Sequence, residues 1–165
     1  ITRRIGSSLH ASLTTQATAV LGSAAWALAM GIAALTRLIY IDWYSPERVM
    51  LIAAFFAVGG LVAFLPGIYI GRLLSRGRRD AGFAATFLAL STATIAATAF
   101  LVALEYRSYY AEWHEAAFTV TWVFQFVFTV ASAVYQFLVM GVRIYLPIGL
   151  LFIVAASIWN VRGMR

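Results

Sequence analysis

The sequence predicts an all-α, polytopic integral membrane protein: a bundle of five transmembrane helices, or four with a re-entrant or interfacial C-terminal segment. Three observations predict it. Hydrophobic residues fill 63% of the 165 positions and charged residues only 11%, against roughly half and a quarter in water-soluble domains. The apolar residues gather into runs long enough to cross ~30 Å of hydrocarbon at ~1.5 Å per residue. Every charged side chain falls between those runs or at the chain ends. The whole chain, 1–165, reads as a single membrane domain with spans at 17–36, 49–71, 81–104, 116–138 and 144–161.

Residues 1–16 form a lead-in in which Ile5, Leu9 and Leu13 recur every four positions among Arg3, Arg4, Ser7, Ser8 and His10. That spacing predicts an amphipathic helix lying at the interface or extending the first span. In the first span, Gly22, Ser23, Ala24, Ala25, Ala27, Ala29 and Gly31 leave a surface of small residues suited to close helix contact. The loop at 37–48 carries Tyr40, Trp43 and Tyr44 as interfacial anchors, and Ser45-Pro46-Glu47 as a helix start. In the second span Pro66 predicts a kink or an end, and Gly67 and Gly71 make a GxxxG pair.

The loop at 72–80 holds four arginines, Arg72, Arg76, Arg78 and Arg79. Such density between two spans marks a cytoplasmic loop whose arginines meet anionic lipid headgroups. The expected location is therefore the inner membrane of a bacterium, in keeping with the arginine- and alanine-rich composition, with the N-terminus cytoplasmic. The third span places Ser91, Thr94 and Thr98 towards one face. The loop at 105–115 is the opposite of the arginine loop, with Glu105, Glu112 and Glu115 beside His114. With Asp42 from the first loop these residues form a candidate outer-surface cluster, and His114 between two carboxylates a candidate pH-sensitive group.

The fourth span contains the most informative pattern. At ~100° per residue, Thr121, Gln125, Thr129, Ser132 and Gln136 fall on one stripe, and Val120, Val123, Val127, Val130 and Val134 on the opposite side. An unpaired amide in hydrocarbon costs several kcal/mol, so the stripe is expected to face protein or water. Either it packs against another helix, of this chain or a partner, or it lines a pore. Gly141, Arg143 and Pro147 break the apolar sequence that follows. A tight cytoplasmic hairpin over 138–147 is expected there, with Arg143 inside and Arg162 outside.

Several chemistries have no foothold. There is no cysteine, hence no disulfide or thiolate. His10 and His114 fall on opposite sides of the expected topology and share no zinc spacing, so no metal, cofactor or catalytic residue is assigned. Phe118, Trp122 and Phe128 beside the stripe are expected to meet lipid or fill helix gaps rather than to hold a pigment or quinone. A net charge of +6 resides on arginines flanking apolar runs, which favours a lipid bilayer over nucleic acid as the counter-charge. No ionisable group lies deep in a span, which argues against an ion-coupled pump. The expected role is a non-catalytic membrane subunit or scaffold, docking on other membrane subunits or on further copies of itself. The alternatives are a small oligomeric channel or solute carrier, and an enzyme acting on lipid headgroups.

Overall fold

A computed structural model describes residues 2–43, 45–76 and 78–163, with side chains for residue 16 and from residue 18 onward. The side chains of Arg3, Arg4 and His10, and the whole of Tyr44, lie outside that description. The described chain is all-α, with five helices: α1 (Thr2–Tyr40), α2 (Pro46–Ser75), α3 (Arg79–Tyr110), α4 (Val120–Val139) and α5 (Ile148–Arg162). Two 3-10 segments, Ala111–Trp113 and Gly141–Tyr145, precede α4 and α5. Four stretches are long and apolar enough to cross a membrane: Thr18–Tyr40, Pro46–Ser75, Arg79–Trp113 and Val120–Tyr145. The protein is thus multi-pass in character. The lead-in at the N-terminus continues α1 without a break.

Helices α1, α2 and α3 form an up-down-up core around α2. Its glycines and Ala63 recur every four residues at 59, 63, 67 and 71, and all four positions are buried. They meet a second period-four column on α3, Thr86, Leu90, Thr94 and Thr98, each no more than 1% exposed. The approach is backbone to backbone: a Cβ at Gly67 would stand 2.9 Å from Leu90 Cα, and one at Gly71 2.8 Å from Thr86 Cα. Small residues matter here because lipid tails are as apolar as leucine, so helices adhere by close van der Waals contact. Gly60 and Phe64 turn to α1, where Met30 and Trp26 close the other side of the core. Pro66 is accommodated inside α2, and the helix runs on to Ser75.

The threonine column also ties on the remaining elements. Trp26 Nε1 of α1 donates to Thr94 Oγ1 at 3.2 Å, and Asn160 Nδ2 of α5 donates to Thr86 Oγ1 at 2.9 Å. Thr98 Oγ1 and the Tyr145 hydroxyl share a hydrogen bond of 2.7 Å. Each such bond is worth about 0.6 kcal/mol in a membrane, rarely above ~1.7. One face of α3 thus anchors α1, α5 and the segment that joins α4 to α5.

These contacts correct the expected hairpin. The break between α4 and α5 does not return the chain from the arginine side. Tyr145 sits against Thr98 partway along α3, and Phe56 packs on both Phe137 and Tyr145, with ring centroids 5.9 and 4.6 Å apart. From there α5 runs on towards the arginine loop, where Arg72 Nε donates to Asn160 Oδ1 at 3.0 Å. Helices α4 and α5 therefore follow one another in the same sense alongside α3, interrupted at the 3-10 segment. The physical reason is length: α5 has 15 residues, ~22 Å, too short to cross alone. Arg162 consequently lines the same recess as Arg72, and Arg143 shares a cavity with Arg37 at the α1–α2 loop end.

Candidate functional site

Helix α4 begins where local chemistry dictates. Thr119 is extended and caps it, its Oγ1 accepting from Trp122 N–H at 3.2 Å. Phe118, at φ 68°, packs on Trp122, which stacks on Phe126, and the Arg107 guanidinium lies over the Phe126 ring at 4.9 Å. The first turns of α4 therefore stand beside the charged end of α3.

The predicted polar stripe divides into two groups. Gln125 and Thr129 are half-buried against the preceding loop: Gln125 Oε1 accepts from Glu115 N–H at 2.9 Å, and Thr129 Oγ1 lies 3.2 Å from His114 Nε2. Thr129 Oγ1 also donates to the Gln125 carbonyl at 2.6 Å, closing its own turn. Thr121, Ser132 and Gln136 are exposed, and their side chains have no partner within the described chain. The side of α4 that packs on α3 is centred instead on Ala133 and Phe137, its only buried residues. On the stripe's outer flank, Phe124, Phe128 and Tyr135 are 60–68% exposed. Of the opposite valines, Val120, Val123 and Val127 are exposed, and Val130 and Val134 are half-buried.

The candidate outer-surface cluster is not assembled. Asp42 lies exposed in the α1–α2 turn at φ 54°, and Glu112 is exposed on the 3-10 segment. Glu105 lines a recess with Arg48, Trp43 and Tyr109. Glu115 is held by its backbone, and the His114 ring turns to Thr129, with Nδ1 buried and unpartnered. Among the described residues no three histidine or acidic side chains converge on a point where a metal ion could sit.

At the other end, the arginines have separate tasks. Arg72 reaches Asn160, and Arg76 ends α2 in the left-handed region at φ 51°. Arg78 pairs with Asp80 at 2.6 Å, and that hydrogen bond, with the carboxylate's charge, pushes the guanidinium pKa above its usual value. Both partners are well exposed, so the pair adds little stability. Arg79 is exposed at the start of α3.

Sequence reasoning missed Thr86, Tyr145 and Asn160. Thr86 stands eight and twelve residues before Thr94 and Thr98, but only the packing against α2 marks it as part of their column. Asn160 was readable as a lone amide in the last apolar run. Comparison with known protein families, characterised proteins and solved structures finds no match to this chain.

Proposed function

We propose that the protein is a non-catalytic subunit of a membrane assembly, and that the outward face of α4 is where it docks on another membrane chain. One observation carries this reading. Helix α4 is apolar, yet only Ala133 and Phe137 of its 20 residues are buried, and Thr121, Ser132 and Gln136 lack partners among the described residues. Hydroxyls and amides on a spanning helix find partners in a neighbouring helix more cheaply than in lipid. The level of α4 adds support. Its first turns adjoin Arg107, His114 and Glu115, so exposed Phe124 and Phe128 stand at the headgroup boundary, where a second protein covers them better than water does.

The proposal includes an orientation. Arg3 and Arg4 belong to the start of α1, and Arg72, Arg76, Arg78, Arg79 and Arg162 gather at that end of the bundle. Asp42, Glu47, Glu105, Glu112 and Glu115 lie at the opposite end with four arginines, Arg37, Arg48, Arg107 and Arg143, against seven at the first. An inner-membrane protein with this distribution keeps the arginine end in the cytoplasm. With α4 and α5 sharing one passage, both chain ends then face inward. The channel alternative uses the same face: the free part of the stripe looks away from the chain's own core, so a pore exists only in a ring of copies.

Because the chain contains no cysteine, single cysteines are clean probes. Cysteine at Phe124, Phe128 or Ser132 is expected to crosslink in native membranes to a different protein, while cysteine at Val62, exposed on α2, is not. Crosslinks only between copies would replace the subunit reading with the channel one. Equal yields from α4 and Val62 would remove both.

A further inference from the structure

A cavity of about 470 Å³ opens where α4 gives way to the 3-10 segment. Its inner wall is apolar, formed by buried Phe56, Ala133 and Phe137 with half-buried Ile52, Val102 and Ile144. Its rim is polar, with Arg37, Arg143, Gln136, Trp43 and Tyr106. No acidic residue lines it. Neither rim guanidinium forms an ion pair with a carboxylate among the described residues. Arg37 rests over the Tyr40 ring at 5.5 Å, and Arg143 and the Gln136 amide have no partner in the described chain.

We infer that this cavity binds an anionic amphiphile, with the acyl chain against Phe56, Val102 and Phe137 and a carboxylate or phosphate head held by Arg37 and Arg143. The inference shares Gln136 with the docking reading and otherwise stands apart from it. Each part of the recess matches one part of such a ligand. The volume falls within the ~300–1,000 Å³ of ligand pockets, enough for one chain. Two guanidiniums beside an apolar wall and unpaired with any carboxylate offer donors to an anion, and planar guanidinium groups match oxyanions in fork geometry. Gln136 adds an amide donor, and Tyr106 and Trp43 suit the depth at which a headgroup meets its chain. Exposed Ile41, Trp43, Met140 and Arg143 leave the mouth open, so a lipid can enter from the side.

The shared chemistry has two sources, an anionic phospholipid or a free fatty acid, and the test separates them. The full chain is reconstituted in phosphatidylcholine vesicles, and brominated phosphatidylglycerol, brominated oleate or brominated phosphatidylcholine is titrated in. Quenching of Trp43, which lines the cavity, is obtained by difference from Trp43→Phe. Saturable quenching by phosphatidylglycerol at least tenfold tighter than by phosphatidylcholine is expected if the source is the bilayer, and the same margin for oleate if it is free acid. Arg37→Gln with Arg143→Gln should abolish that preference. Ile144→Trp keeps both arginines and fills the cavity, and should abolish saturation while the helical circular dichroism is unchanged. Equal quenching by anionic and neutral probes, or a double variant that binds as the parent does, would overturn the inference.

Discussion

Helices α2 and α4 are both apolar enough to cross a bilayer, yet α2 buries ten of its 30 residues and α4 two of its 20. The difference is size at fixed spacing. Helix α2 presents Gly59, Ala63, Gly67 and Gly71 in one column, and α3 closes on it to backbone contact. Helix α4 has valines and phenylalanines where α2 has glycines, and it buries only Ala133 and Phe137. Hydrophobicity brings both helices into lipid, but only small residues in register hold one of them to its own chain.

The sharpest way to break that contrast is to enlarge the α2–α3 column. Gly67→Leu forces its side chain into the Leu90 backbone and is expected to cost about 3 kcal/mol or to prevent assembly, read as lost resistance to denaturant in detergent. Asn160→Leu strips Thr86 and Arg72 of their partner and should cost ~1–2 kcal/mol, with faster proteolysis at the α5 end. Thr119→Ala removes the cap of α4, costs ~1 kcal/mol, and should raise amide exchange in the first turn of α4 while leaving α2 protected. The smallest effect sharpens the contrast most. Ser132→Ala should leave the isolated chain within ~0.5 kcal/mol of the parent and yet weaken the crosslinked complex; a stability loss as large as that of Gly67→Leu would show that the α4 face is internal structure.

The helical architecture was legible in the sequence because charge and hydropathy alternate along it, and a helix in lipid must satisfy its own backbone. Gly67 and Gly71 were visible as a pair, and Thr94 and Thr98 as a face. The columns they belong to, completed by Gly59 and Thr86, emerge only when two helices are set in register. The level of the break before α5 was misplaced for a similar reason. Gly141, Arg143 and Pro147 announce a break, but its depth depends on the Tyr145 hydroxyl finding Thr98 on another helix. The stripe on α4 was visible as a pattern, yet Gln125 and Thr129 take partners from a loop whose course the periodicity does not contain.

The brevity of α5 also bears on what sets its level. A 15-residue segment falls short of the ~20 apolar residues a crossing needs, so hydropathy alone does not fix its depth. Thr86 and Thr98 on α3 do so instead, by receiving Asn160 and Tyr145. The position of the last helix is thus borrowed from the third.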